Sequence, residues 1–488
     1  MGNSVNWVTL AGNTVSHTGY AFDFAHHDSG SYTVDGAVYS DGRGISGSNP
    51  VNVRVDIGVS GTVWGGDAAI HLSGTSGMEV YNHGTVISQN STGIYISSAN
   101  ADILNNGVIN AKLSGSIFTG ANGIYAKLSN SSSLTNSGTI YADYKGIAIT
   151  QSDNSSAIST GSIFSQSHGM YLHSSNNATF LNTGEIYAAK DGFHIYYESD
   201  TGVLNDFGDI VAQRHGVAID RATNFAITNT GSITGESNGI QLFLANGATV
   251  TNSGYISDGD GASNYAIRAS LSSVVIENSG VIDGDIQLGT PDDVFIYNGG
   301  SVNGVINTGE GNDRLEVIDI AAGQIINLDA GYGSDTVDMS GFGWAVWADL
   351  EYNGVEIWTR DANAVTSGTW RAIVDVENLT GTMGIDVLRG NDRANSFFFV
   401  GEQGIGGMDT YDGRDGSDTV DFSQFQSAVW IDLSYTGSHV WTRDGNDLSS
   451  GEWRGIASTF NMENIIGSNH NDELRGDDNA NRITGGSR

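Results

Sequence analysis

The sequence predicts an all-β chain wound as a right-handed parallel β-helix, and three observations predict it. A phrase of the form apolar-x-Asn-x-Gly-x-Ile recurs, as in VYNHGTV, ILNNGVI, LTNSGTI, FLNTGEI, ITNTGSI, VTNSGYI and IENSGVI. Its glycines, Gly84, Gly107, Gly138, Gly161, Gly184, Gly208, Gly231, Gly254 and Gly280, mostly stand 23 residues apart. A second phrase follows about eight residues after the first in most copies, reading GIYI, GIYA, GIAI, GMYL, GFHI, GVAI and GIQL. Both alternate apolar with other residues over a few positions, which is the period of a strand and not of a helix. The third observation is 68 glycines against 2 prolines in 488 residues, a composition of repeated tight turns. Short strands at a fixed period cannot bury a face alone; stacking them as parallel coils buries it.

Residues 1–50 fit the period poorly and are expected to form an N-terminal cap or an irregular first coil, covering an open strand edge. Residues 51–300 are expected to be the regular part, with coils of about 23 residues. The step from Gly107 to Gly138 is 31, which implies an eight-residue insertion near INAKLSGS. Ile94, Ile147, Met170, Phe193, Val217 and Ile240 are predicted to share one inward row. Asn82, Asn105, Asn136, Asn182, Asn229 and Asn252 are predicted to stack as an amide ladder at a turn, each bonding the next. That ladder reads as purely structural.

Residues 301–488 change grammar. Two copies of a module of about 83 residues appear there: GSDTVDMSGFGWAVWADL matches GSDTVDFSQFQSAVWIDL, and VENLTGTMGIDVLRGNDRANSF matches MENIIGSNHNDELRGDDNANRI. Within them, TGEGNDRLE, AGYGSDTVD and GRDGSDTVD follow a nonapeptide Gly-Gly-x-Gly-x-Asp-x-apolar-x, and GTMGIDVLR and GSNHNDELR follow it more weakly. A glycine turn lets backbone carbonyls converge, and the aspartate adds a carboxylate. Calcium takes 6 to 8 such oxygens in flexible geometry. Without a cation, carboxylates stacked at about 4.8 Å repel by roughly 1 kcal/mol per pair even in water, so this region is expected to need the ion to fold.

These motifs, with AVWIDL, MENIIGS and DELRGDDNAN, resemble the RTX, or haemolysin-type calcium-binding, repeat proteins of bacteria. The resemblance covers roughly residues 290–488. It implies a β-roll with calcium in its turns and export by a type I secretion system without a cleaved leader. Carried over by position, the metal-binding aspartates are Asp313, Asp335, Asp386, Asp418 and Asp472, and the turn glycines are Gly309, Gly311, Gly331, Gly333 and Gly416. The nonapeptides are not in unbroken tandem here, so fewer ions are expected than in a full roll. Asp292 and Asp293 read equally well as the start of the calcium region or as a plain turn.

Composition bounds the rest. A net charge of −35 opposes binding to nucleic acid or to anionic membranes. No apolar run approaches a membrane span, and the absence of cysteine removes disulfides and thiolate metal sites. MGNSVNWVTLAG lacks a basic start followed by an apolar run, so no cleavable signal is expected there. The expectation is an extracellular or cell-surface bacterial protein, structural or adhesive, that folds on calcium and self-associates into an oligomer or filament.

The rival class is a carbohydrate-active enzyme or a polysaccharide-binding module on the β-helix. Lys145, His168, Asp191, His194 and His215 fall at stacked turn positions, with Lys190, Arg214, Tyr171 and Tyr196 nearby. His194, His215 and Asp191 are the candidate acid–base groups; the bland reading is that an exposed turn must carry some polar residue. His26–His27 reads as surface. Trp347, Trp358 and Trp370 recur as Trp430, Trp441 and Trp453, which suggests packing, or alternatively an aromatic platform for sugars.

Overall fold

The computed structural model describes residues 4–24, 29–49, 52–111, 121–197, 199–259, 264–320, 324, 326–352, 355–359, 371–401, 407–435 and 439–486. Every described element is a strand, and among the described residues no helix is long and apolar enough to cross a membrane. The fold is a parallel β-solenoid, and the chain divides into two compact units at Val274/Val275, earlier than the boundary near residue 300 that the motifs suggested.

In the first unit each coil gives one short strand to each of three parallel sheets. Thr179–Asn182, Glu185–Ala188 and Phe193–Tyr196 form one such coil. Each strand lies in register on its counterpart one coil later, so Asn182 meets Asp206, Ala188 meets Ala212 and Tyr196 meets Asp220. Ile94, Ile147, Met170, Phe193, Val217 and Ile240 are all buried in one row of the third sheet, as their alternation requires. Each such side chain contributes about 1.5–3 kcal/mol by leaving water. The glycine of the second phrase is steric: a Cβ on Gly169 would lie 2.2 Å from Ile186 Cγ2 and 2.6 Å from the Gly192 carbonyl oxygen.

The amide ladder is present. Asn82 Nδ2 donates to Asn105 Oδ1 (2.7 Å), Asn105 to Asn136 (2.7 Å) and Asn229 to Asn252 (2.8 Å). Two rungs are not asparagine: Asn136 donates to Ser159 Oγ (3.2 Å), and Asn182 donates to Asp206 Oδ1 (2.8 Å). A second ladder, of serines, was not read from the sequence. The backbone N–H of Ser129 donates to Ser152 Oγ (2.9 Å), that of Ser152 to Ser175 Oγ (2.9 Å) and that of Ser175 to Ser199 Oγ (3.2 Å).

The segment expected to be an N-terminal cap or an irregular first coil pairs regularly in its described residues. Ser4–Thr9 pairs in parallel with Ser29–Val34, which pairs with Val53–Ile57, and the other two sheets continue likewise. The register explains why the phrase is not visible there. The rung of Asn82 is occupied by Ile57 and, one coil before that, by Val34. The backbone geometry is kept while an apolar side chain replaces the amide. The insertion near INAKLSGS lies largely at 112–120, outside the described residues.

The second unit also stacks parallel strands, among them Val294–Asn298, Arg314–Asp319, Thr336–Asp338, Asn378–Thr380, Ser396–Phe398, Thr419–Asp421, Asn464–Ile466 and Arg482–Thr484. Each copy of the long module adds an antiparallel excursion. Val355–Thr359 lies between Trp347–Tyr352 and Arg371–Val374, and His439–Thr442 lies between Val429–Asp432 and Arg454–Phe460. The module is long because it contains this hairpin as well as its coils.

Candidate functional site

The acidic turns come first, because most of the predicted site residues lie there. Gly309, Gly311, Gly331 and Gly416 have positive φ, as the glycine turns require. Glu310–Gly311 pairs in parallel with Tyr332–Gly333. A Cβ on Gly331 would lie 2.0 Å from the Gly309 carbonyl oxygen, and one on Gly333 1.5 Å from that of Gly311, so neither position admits a side chain.

Each acidic residue in this row immediately precedes a strand of one sheet and reaches back to the coil before it. The N–H of Asp293 donates to Asp313 Oδ1 (2.8 Å), that of Asp313 to Asp335 Oδ1 (2.7 Å) and that of Asp335 to Glu377 Oε2 (3.0 Å). Further along, the N–H of Asn395 donates to Asp418 Oδ1 (2.8 Å) and that of Asp418 to Glu463 Oε2 (2.8 Å). One carboxylate oxygen thus stitches adjacent coils. Among the described residues, the other is buried without a hydrogen-bond partner in Asp313, Asp335 and Asp418. Thr308, near Asp313, spends its hydroxyl proton on the Ala330 carbonyl (3.0 Å). Burial pushes Asp313 up to about 6 and Asp335 and Asp418 to about 7. These are acids held in a place that disfavours their charge.

Asp386 and Asp472 do not belong to this row. They precede strands of the opposite sheet, Val387–Arg389 and Glu473–Arg475. Both oxygens of Asp386 are used, by the N–H of Val346 (2.7 Å), the N–H of Thr382 (2.5 Å) and the Thr382 hydroxyl (3.0 Å). Asp472 Oδ1 accepts from the N–H of Val429 (2.8 Å) and from Ser468 (2.7 Å), and its Oδ2 has no partner.

Sequence reasoning missed Glu377, Glu463 and Asp409. The first two were visible as the matched Glu-Asn pairs of VENL and MENI. Asp409 accepts the N–H of Asp386 (2.9 Å) and the Tyr411 hydroxyl (3.0 Å), and burial lifts it to about 8. Asp293, left open by the sequence, is a rung of the ladder.

The second cluster lies in the first unit. Asp191 is fully buried in the turn before Phe193–Tyr196. His168 Nδ1 lies 3.0 Å and His194 Nδ1 2.9 Å from its Oδ2. Arg214 Nε donates to Oδ1 (2.7 Å) and Arg214 Nη2 to Oδ2. A bare lone pair on either Nδ1 would have no partner. With the proton on Nδ1, both contacts become hydrogen bonds, and each Nε2 is left as an acceptor. Burial alone would raise Asp191; the bonds from His168, His194 and Arg214 hold it well below the usual carboxylate range. His215 is not part of this group: its Nδ1 faces Asn238 Nδ2 (3.3 Å), and burial lowers it to about 4. The three ligand atoms of His168, Asp191 and His194 lie within 4.8 Å of one another. However, Arg214 already supplies the positive charge a metal would bring.

The recurring tryptophans separate. Trp347 is buried, whereas Trp430, Tyr435, Trp441 and Trp453 line an open cavity of about 440 Å³. Trp370 and His26–His27 lie outside the described residues. What the fold and sites define is a parallel β-solenoid with one neutral and one acidic stitched edge. No protein-family model matches the chain, and no curated protein is significantly similar to it.

Proposed function

We propose that this is a secreted bacterial surface or matrix protein of the RTX type, whose acidic unit completes its folding on extracellular calcium. One observation carries the reading: buried, unpartnered second oxygens on Asp313, Asp335 and Asp418. An oxygen-only donor set beside tight glycine turns suits a hard cation. Asp313, Asp335 and Asp418 would hold the ion with turn carbonyls. The ion would neutralise a row of acids that otherwise repel or must stay protonated. Low calcium inside a cell would keep the region loose for export, and calcium outside would close it. Asp386, which already accepts hydrogen bonds on both oxygens, is left out of this set. Self-association into a filament or lattice is the assembly expected of such a protein.

Hydrogen–deuterium exchange on the full chain tests this, comparing chelator with millimolar calcium. Protection should rise in residues 275–488 and stay unchanged in 4–274. Full protection of 275–488 in chelator, with no heat of calcium binding, defeats the reading. Light scattering over the same titration tests assembly; a monomer at every calcium concentration removes the filament.

A further inference from the structure

The hairpin of the second long module holds an aromatic cavity that the stitching of coils does not use. Trp430, in Val429–Asp432, and Trp441, in His439–Thr442, are paired in register across the two antiparallel strands. Tyr435, in the turn after Asp432, meets Trp430 edge-on, with 6.0 Å between ring centroids. Trp453 stands just before the third strand, Arg454–Phe460. These four rings line the open cavity of about 440 Å³, a size ordinary for ligand pockets. Tyr435 is 52% exposed and Trp453 44%.

The first module differs at the matching place. Trp347, the counterpart of Trp430, is 2% exposed. The next coil brings Val387 into register with Trp347, whereas it brings Glu473 into register with Trp430, and Glu473 pairs with Arg475. Gly455 stands where the first module has Ala372. It is in register with Trp441, and a Cβ there would lie 3.9 Å from the indole, so any side chain at 455 would rest on that ring. The second module thus keeps its tryptophans open where the first buries its own.

The lining selects the guest. All four side chains are Trp or Tyr, each with an apolar ring face and a polar edge, and none is aliphatic. Among the described residues no charged side chain lines the cavity. Of the charges on the strands around it, Arg454 pairs with Asp444 (2.7 Å), and Arg475 with Glu473 and, at 3.7 Å, with Asp432. Arg443 lies over Trp453, 4.5 Å from the ring centroid, so a further cation would meet like charge. An anion is disfavoured by the negative faces of the rings. A pyranose is uncharged and has what the lining has, an apolar C–H face and a polar rim. We propose that this cavity binds a neutral oligosaccharide, with C–H faces of its sugars against the indoles and hydroxyls toward the polar edges. The site is built from the hairpin's own residues and does not depend on which acids hold calcium.

The test is isothermal titration of the full chain, in calcium, with cellotetraose, mannotetraose and chitotetraose, and with choline as the cationic alternative. At least one sugar should bind and choline should not. Trp453→Ala and Tyr435→Ala, both at exposed positions, should each weaken that sugar about tenfold, the loss expected for one stacked ring. Gly455→Val, which sets a side chain on Trp441, should weaken it at least as much. Trp344→Ala, at an exposed tryptophan outside the cavity, should change nothing. If Gly455→Val fails to fold, Trp453→Ala and Tyr435→Ala decide. No binding by any of the three sugars, binding of choline in their place, or an unchanged affinity in Trp453→Ala overturns the proposal. The calcium reading is tested separately, by exchange measured without sugar, so either can fail alone.

Discussion

The two units stitch their coils with the same bond and opposite electrostatics. In the first unit the N–H of Ser152 donates to Ser175 Oγ, at 2.9 Å. In the second, the N–H of Asp313 donates to Asp335 Oδ1, at 2.7 Å. A hydroxyl does this and remains neutral. A carboxylate brings a second oxygen and a charge, and in Asp313, Asp335 and Asp418 that oxygen is buried without a partner. The difference teaches that the acidic residues exceed what stacking needs. The excess is what a cation or a proton must answer.

The largest effect should come from making the second unit resemble the first. The triple variant Asp313→Asn, Asp335→Asn, Asp418→Asn keeps the accepting oxygen and replaces the charged orphan with an amide. Residues 275–488 should then be protected from exchange in chelator and stop responding to calcium. If the variant still needs calcium, these aspartates are not its ligands.

Asp206 is the one acid in the amide ladder and brings the second unit's problem into the first. Its Oδ1 accepts from Asn182, while its Oδ2 and Asn229 Oδ1, in register with it, both lack partners. A proton on Oδ2 would let the acid donate onward as an amide does. Burial raises Asp206 to about 7. A folded value above the unfolded one means the stability it confers is complete below about pH 4 and lost as pH rises through about 7. Asp206→Asn should remove that pH dependence and stabilise the first unit above pH 7 by up to roughly 4 kcal/mol. Urea melts across that pH range decide it; parallel pH profiles for both proteins would show that Asp206 is not protonated in the fold.

Asn105→Ala should cost less, about 3 kcal/mol, because it leaves a buried oxygen of Asn136 without its donor and leaves the Asn82 amide only the long contact to the Val108 carbonyl. Ser152→Ala should cost least, about 1–2 kcal/mol, for one orphaned N–H on Ser129. Both can be read from denaturation midpoints of the first unit's transition. A reversed order would mean that the hydroxyl ladder, not the amide ladder, sets its stability.

Much of the fold was legible because the chain repeats itself. The phrases around Asn105 and Gly169 state strand, turn and period together, and the inward row from Ile94 to Ile240 follows from alternation. The first coils were not legible, because Val34 and Ile57 stand on the rung where later coils carry asparagine. The glycines Gly309, Gly311 and Gly331 were legible because only a residue without Cβ takes those backbone angles.

The sequence by itself determined the solenoid, its period and the residue types at its turns, since each coil is built from local signals. Only the tertiary structure decided which residues share an edge. Asp386 and Asp418 sit in similar motifs, yet one has both oxygens taken by Thr382 and Val346 and the other leaves an oxygen bare. Likewise His194 joins Asp191 while His215, one coil on, turns to Asn238. The physical reason is that a motif fixes the local turn, whereas partnership depends on which coil stacks above it.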